Sequence, residues 1–196
     1  MKRIIISTLV LLLSFPILAQ QTDFQKAISK YKTAQIITAT SVKTRHKAAV
    51  AKDEQSSGTF TILPPNKMNI SVNEGKDQLD MQGEDFTMTV GGKSHKTSSK
   101  TNPQFATFQK VLEHIMTGGA DGKDIAQTPG VTIQKEGNNF VLTITPEVAK
   151  AKAKKRMMFT SFVITIDTKT AEIKTLRMNE KGQNYTSYEF SGYTFK

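Results

Sequence analysis

The chain has 196 residues, contains 27 Lys and Arg against 17 Asp and Glu, and has neither Cys nor Trp. This length favours one domain. With 37% hydrophobic and only 22% charged residues, the composition indicates a folded, β-rich chain with a small core, not a disordered one. The absence of Cys excludes disulfides, thiolate metal ligands, Cys nucleophiles and a lipid-modified N-terminal Cys.

The first 19 residues have the pattern of a secretory signal peptide. Lys2 and Arg3 precede an uncharged apolar stretch over residues 4–18, and the small residue Ala19 follows it. The stretch is shorter than the roughly 20 residues that span a bilayer, which argues against the alternative of an N-terminal membrane anchor. We therefore expect residues 1–19 to be cleaved and residues 20–196 to form one exported domain.

A short helix is predicted at the start of the mature chain. Phe24, Ile28 and Tyr31 are spaced at i, i+4 and i+7, and Thr22 or Asp23 can cap the helix. After Tyr31 the periodicity changes from helical to that of a strand.

The next part of the chain predicts a meander of antiparallel strands. Residues 35–47 are rich in Ile, Thr and Val, which suits a long strand. Apolar and polar residues then alternate in short segments up to Val90, with turn signals such as Pro64-Pro65 and Gly91-Gly92 between them. Such alternation indicates strands with one buried and one solvated face.

A second helix is predicted over residues 103–117. Asn102 suits its N-cap and Pro103 its first position, and Gly118 ends it. Its apolar stripe consists of Phe105, Phe108, Leu112, Ile115 and Met116. Further alternating segments follow this helix between residues 131 and 195.

These elements indicate ten or eleven strands and two helices, a mostly β (α+β) fold. A single antiparallel sheet of this size curls, splits or closes. We expect a curled sheet that forms an incomplete β-barrel, with the inserted helix covering its apolar face as a lid.

The sequence offers little catalytic chemistry. His46, His95 and His114 are scattered, and no nucleophile–base set, carboxylate pair or metal-ligand spacing is present. We therefore expect no enzymatic activity, no catalytic residue, no metal site and no cofactor.

Five basic residues lie in the segment 150–156. A solvated loop is the first interpretation of this segment, and docking to an acidic partner or an anionic membrane surface is the second. Nucleic-acid binding is not expected because no aromatic residues are interleaved with these charges. We expect a monomer.

An apolar face under a movable helix suits acyl chains, because Met and Phe repack around ligands of variable shape. The predicted cavity residues are Phe60, Ile62, Met68, Ile70, Leu79, Met81, Phe86, Met88 and Leu142. The predicted lid residues are Phe105, Phe108, Leu112 and Ile115.

Several motifs, taken in order, resemble a known family. They are GTFTILPPNKM at residues 58–68, Gln82-Gly83 followed by Phe86, EGNNFVLTITP at residues 136–146 and FVITID at residues 162–167. Together they are similar to the periplasmic outer-membrane lipoprotein carriers, the LolA-like family, over roughly residues 22–195.

The resemblance implies a soluble carrier whose concave apolar face holds the acyl chains of lipoproteins. Such carriers take acylated lipoproteins from an inner-membrane ABC transporter and pass them to an outer-membrane acceptor. The acceptor homologue requires an N-terminal Cys, so this chain resembles the carrier.

The chain departs from the family at the residue that holds the lid. Where many members have an Arg that hydrogen-bonds the lid, this chain has Pro64, and the family's Trp residues are replaced by Thr61 and Phe86. Arg45 is a possible substitute. The departure leaves two alternatives open: a carrier of another amphiphile, such as a glycolipid or lipid precursor, and a sensor or interaction module without lipid.

Overall fold

The structure, a computed structural model, describes residues 23–120, 122, 124–148 and 157–196. The predicted signal peptide and the basic segment 150–156 lie outside the described residues.

One antiparallel sheet dominates the described chain. Its strands are β1 (Ile37–His46), β2 (Glu54–Leu63), β3 (Lys67–Val72), β4 (Asp77–Gln82), β5 (Asp85–Val90), β6 (Lys93–Ser98), β7 (Val131–Glu136), β8 (Asn139–Ile144), β9 (Phe159–Asp167), β10 (Ile173–Glu180) and β11 (Tyr185–Phe195). Their order across the sheet is β6-β5-β4-β3-β2-β1-β11-β10-β9-β8-β7. The sheet therefore consists of two meanders that join where β1 pairs with β11, and β6 and β7 are its edges.

Two helical segments accompany the sheet. The first, α1, covers residues 23–28 and continues as a 3-10 helix, Ser29–Thr33. The second begins as a 3-10 turn, Pro103–Phe105, and continues as α2, Ala106–Met116. Both agree with the predicted helices, except that Asn102 occupies the N-cap position without a side-chain capping hydrogen bond. We call the segment from Pro103 to Met116 the lid helix.

Strand alternation places the core between the concave face of the sheet and the helices. In β1, for example, Ile37 and Ala39 are buried while Thr38 and Thr40 are exposed. Buried side chains of the strands, of α1 and of the lid helix form one apolar cluster. The predicted mostly β fold, a curled and unclosed antiparallel sheet under a helical lid, is confirmed.

One strand was not predicted as such. The edge strand β6 is KSHKTS, and most of its residues are exposed. Both of its faces are polar, so it has no alternation from which a half-buried strand could be recognised. His95 lies in this strand.

Gly58 allows β2 and β3 to approach each other closely. A Cβ atom at Gly58 would lie 1.9 Å from the Ser71 carbonyl oxygen on β3, and only 2.7 Å from the Val72 Cα. Any side chain here would force the two strands apart, so glycine is a steric requirement of this part of the sheet.

We predict that Gly58→Ala lowers the free energy of unfolding by at least about 2 kcal/mol, because the added methyl overlaps backbone atoms that cannot rotate away. Chemical denaturation measures the loss. Gly137→Ala is the control, because a Cβ at Gly137 meets nothing within 4 Å and only its positive φ of 58° is strained, at about 1 kcal/mol. Equal losses in both variants would contradict the steric role of Gly58.

Candidate functional site

The predicted cavity residues form two cross-strand rows on the concave face. Phe60, Ile70, Leu79 and Met88 are direct neighbours across β2 to β5, and so are Ile62, Met68, Met81 and Phe86. All are buried except Met88, which is half-buried against the core. Leu142, also buried, lies on the other meander opposite Ile164. The structure thus brings the predicted side chains to one apolar surface, and their role in ligand binding stays a prediction.

The lid helix closes this surface through aromatic contacts. The Phe108 ring stacks on Phe162 of β9, with centroids 4.3 Å apart, and the Phe105 ring stacks on Phe86 of β5 at 4.9 Å. Phe105 also meets Phe159 edge-on at 5.9 Å. The lid therefore bridges the two meanders, from β5 to β9, across the unclosed side of the sheet.

Phe159 and Phe162 are site residues that were not predicted. Both lie in a strand of alternating residues, but alternation does not reveal which strands meet the lid. Their place opposite the lid depends on the curl of the whole sheet, which brings β9 towards β5.

Between the described residues of the lid helix and the sheet, the space is almost filled. A gap of about 10 Å³ remains there, lined by Phe60, Met68, Leu112, Ile164, Ile173, Leu176 and Phe190. Ligand pockets usually have about 300 Å³ or more. An acyl chain therefore enters this site only if the lid helix moves away from the sheet and these soft side chains repack.

Hydrogen bonds from two glutamines hold the lid. The Gln104 Oε1 accepts from the backbone N–H groups of Met158 and Phe159, at 3.0 and 3.1 Å. At the other end of the lid, the Gln25 Nε2 donates to the Gly118 carbonyl at 3.1 Å, and its Oε1 lies 3.1 Å from the His114 Nε2. Gln104 and His114 are both buried.

These glutamines form the hydrogen bonds to the lid for which Arg45 was the candidate in the sequence. Within the described residues, Arg45 lies on β1 between Thr186 and Glu54 and makes no hydrogen bond to the lid. Pro64, at the position of the family's Arg, forms a cis peptide bond with Pro65. The lid is held by neutral amide groups that the sequence did not single out.

A small polar group lies on the concave face beyond the apolar rows. It consists of Ser41, Lys43, Asp77 and Tyr188, and we call it the inner polar group. The Lys43 Nζ lies 2.8 Å from the Asp77 Oδ2, with only 9% and 13% of the two side chains exposed. The Gly91 N–H donates to the Asp77 Oδ1 at 2.7 Å. Burial works to raise the pKa of Asp77, but the hydrogen bonds from Lys43 and Gly91 hold this pKa below its ordinary value.

The histidines remain apart in the structure. His46 bonds Asp53 at 2.8 Å and stacks on Tyr185, and His114 contacts Gln25. Among the described residues, no cluster of three His, Asp or Glu side chains could hold a metal ion. That part of the chain also has no helix with the length and apolar character needed to cross a membrane.

An open cleft of about 630 Å³ lies on another side of the lid helix. It is bounded by Lys110, Glu113, His114 and Thr117 and by the turn Ile125–Gln127. The cleft is separate from the apolar rows of the concave face.

We predict that Gln104→Met loosens the lid. Methionine has a similar shape but leaves the Met158 and Phe159 N–H groups without their acceptor, which costs about 1–3 kcal/mol. Hydrogen exchange at the Phe159 amide, now buried and bonded, should become faster.

Gln109→Met serves as the control, because within the part of the chain that the structure describes the Gln109 amide donates only to Glu113 on the same helix. Faster exchange at Phe159 in both variants alike would contradict a specific role of Gln104.

We predict that Asp77→Asn lowers the free energy of unfolding by about 3 kcal/mol near neutral pH, because it leaves Lys43 charged, largely buried and unpaired. The lowered native pKa of Asp77 also gives a pH dependence of known sign. Its stabilising contribution is present above the unfolded pKa of about 4 and is lost as the pH falls through the native pKa. Denaturation between pH 2 and 7 should show a steeper acid loss in the wild type than in the variant.

No protein-family model matches the sequence, and a search of curated proteins finds no match. Solved structures do match. The chain is similar to a domain described as an outer-membrane lipoprotein-sorting protein from Vibrio parahaemolyticus, at 10% identity and a TM-score of 0.45, over 90% of this chain and 92% of that chain. It is also similar to a LolA superfamily protein from Nitrosomonas europaea, at 7% identity and a TM-score of 0.39, over 90% and 93% of the two chains.

A third similar structure is the Mycobacterium tuberculosis lipoprotein LppX, at 10% identity and a TM-score of 0.38, over 89% of this chain and 94% of that chain. The architecture described above, a curled open sheet under a helical lid, agrees with the architecture that the sequence resemblance implied.

Proposed function

We propose that the protein is an exported, non-catalytic carrier that binds the acyl chains of an amphiphile between the lid helix and the concave face of the sheet. The observation that carries this proposal is the continuous apolar surface under a helix that bridges the sheet's unclosed side. The lid helix contacts this surface through a few aromatic side chains. An acyl chain can therefore take the place of the helix while the hydrogen bonds between paired strands stay intact.

The chemistry of the surface supports acyl chains as ligands. Its side chains are Phe, Met, Leu and Ile, and burial of each chain methylene contributes about 0.8 kcal/mol without any polar contact. Met68, Met81 and the phenylalanines of the lid can change rotamer as a chain enters. A chain of a dozen or more carbons therefore gains about 10 kcal/mol or more, which can offset displacement of the lid.

For the cargo, we propose acylated lipoproteins that move from the inner to the outer membrane. This follows the resemblance, which implies an inner-membrane ABC transporter as donor and an outer-membrane acceptor. The signal-peptide pattern of residues 1–19 supports a periplasmic location. The alternative cargo is a different amphiphile, a glycolipid or lipid precursor. It is favoured by Pro64, which lies where the resemblance places the Arg that hydrogen-bonds the lid. Without that Arg, the lid responds to its ligand through other bonds.

A second function, a sensor or interaction module without lipid, is favoured by one observation. The interior under the lid leaves a gap of only about 10 Å³. A carrier opens this space when it loads, whereas a module that only binds a partner protein keeps it filled. The two functions therefore differ in whether the lid moves.

Native mass spectrometry of the protein purified from its own periplasm, with solvent extraction of whatever is bound, tests the proposal. Co-purified di- or triacylated lipoproteins support the lipoprotein carrier. A free glycolipid or another small amphiphile supports the alternative cargo. A protein that is empty and also fails to take up a fluorescent fatty acid contradicts the carrier function and favours the interaction module.

We predict opposite effects from two substitutions at Leu112, which is buried on the lid and lines the remaining gap. Leu112→Ala enlarges the gap and should tighten binding of a fluorescent fatty acid several-fold. Leu112→Trp fills the gap and should weaken it several-fold. Both changes lower stability, by about 1–4 kcal/mol, so a loss of folding alone cannot produce opposite shifts in affinity.

Val111→Ala is the matched control, because Val111 is fully buried on the same helix but does not line the gap. If all three variants change affinity in the same direction, the ligand does not bind between Leu112 and the sheet.

A further inference from the structure

The inner polar group belongs to two cross-strand rows of the concave face, which run side by side where β11 pairs with β1. One row runs from Leu142 through Ile164, Leu176 and Tyr188 to Lys43. The other runs from Phe190 through Ser41, Gly58 and Val72 to Asp77. Ile164, Leu176 and Phe190 line the gap under Leu112. The polar group is therefore the direct continuation of the surface on which acyl chains would lie.

Hydrogen bonding in this group is unbalanced towards donors. The Ser41 side chain is 1% exposed, and its hydroxyl has no hydrogen-bond partner among the described residues. Tyr188 is 4% exposed and lies beside Lys43, and its hydroxyl is not among the buried side-chain atoms without a partner. Burial, with a smaller effect from Asp77, raises the pKa of Tyr188, so this hydroxyl keeps its proton and remains a donor.

Both oxygens of the group's carboxylate, Asp77, already accept a hydrogen bond. Asp77 accepts from Lys43 through one oxygen and from Gly91 through the other. An ammonium group carries three donors, so Lys43 retains capacity beyond its bond to Asp77. Arg45 is the next residue on this face of β1, opposite Thr186, and has no ion pair among the described residues. Glu54 on β2 lies opposite Arg45, so Lys43 is the cation that the inner polar group offers to a ligand.

Buried donors without acceptors are costly, and a ligand that supplies acceptors removes this cost. We propose that the inner polar group binds the anionic oxygens of an amphiphile's head, a carboxylate or a phosphate, while its acyl chain lies along Leu176, Ile164 and Phe190. Ser41, Tyr188 and the spare Lys43 protons donate to these oxygens, and Asp77 holds the Lys43 ammonium in place. This inference rests on the proposed carrier function and favours the alternative cargo, an amphiphile with an anionic head, because the acyl chains of a lipoprotein are attached through neutral ester and amide groups.

The site fixes the direction in which the ligand lies. The head is next to the seam between β1 and β11, and the tail points towards the aromatic contacts of the lid. An amphiphile without acceptor atoms in its head leaves the Ser41 hydroxyl unpaired, so it binds through its chain alone.

The test compares ligands that share a sixteen-carbon chain and differ only in the head. Hexadecanoate, hexadecyl phosphate and hexadecanol each displace a neutral fluorescent probe, N-phenyl-1-naphthylamine, from the full exported protein after its own lipid has been extracted. We expect at least one of the two anions to bind about tenfold more tightly than the alcohol, because hydrogen bonds to a charged group in a buried site strengthen binding by about this factor. Preference for hexadecanoate identifies a carboxylate head and preference for the phosphate identifies a phosphate head.

Two variants test whether the preference for an anionic head depends on the inner polar group. Ser41→Ala removes the unpartnered hydroxyl with little change of volume and should lower the anion-to-alcohol ratio about threefold. Lys43→Met with Asp77→Leu removes both charges together, which avoids a lone buried ion, and should bring the ratio close to one. Hexadecanol should bind both variants as it binds the wild type, which shows that they fold.

Lys96→Met is the matched control for charge, because Lys96 is exposed on the edge strand β6 and should leave the ratio unchanged. Equal affinity for all three ligands in the wild type overturns the head-group site and leaves the carrier function standing. An anion-to-alcohol ratio that is unchanged in both Ser41→Ala and the Lys43→Met, Asp77→Leu double variant overturns the head-group site as well. If none of the three ligands displaces the probe, the carrier function and the head-group site fail together.

Discussion

The need to cover one apolar face of a large sheet governs this structure. Each strand of both meanders sends alternate side chains to the concave side, and water cannot be left in contact with so much apolar surface. The curl of the sheet brings its own strands together over part of this surface, and α1 and the lid helix cover what remains. The lid's contacts are therefore a consequence of the sheet's failure to close, and Phe105 and Phe108 join β5 of one meander to β9 of the other.

The contacts between the lid helix and the sheet can be replaced more easily than the hydrogen bonds between paired strands. Strand pairs exchange regular backbone hydrogen bonds, and their separation exposes many donors and acceptors at once. The lid meets the sheet through stacked rings and the Gln104 amide, and it meets α1 through the Gln25 amide. Its displacement from the sheet therefore exposes apolar atoms that an acyl chain can cover again. The same residues thus stabilise the closed state and suit an exchange of helix for ligand.

Much of the fold followed from periodicity, because half-buried strands and amphipathic helices leave a clear pattern in the sequence. Phe60, Ile70 and Leu79 could be assigned to one face without coordinates. Strand β6 could not be recognised, because an edge strand with two solvated faces has no such pattern. The partners of the lid on β9 and the meeting of Lys43 with Asp77 depend on strand order and curl, which join residues far apart in sequence. The signal peptide and the role of the basic segment 150–156 remain predictions.

The pairing of β1 with β11 has a consequence for how the molecule forms. The side chains of Thr40 and Ser191 bond across this seam although 151 positions separate them in sequence. Each meander consists of neighbouring hairpins and can form locally, but the central ladder waits until the last described strand is available. A chain that crosses a membrane starting from its N-terminus would hold a half-built sheet with an open β1 edge for the whole passage. We expect chaperone dependence and aggregation during secretion to concentrate on that edge, which the finished molecule hides at its centre.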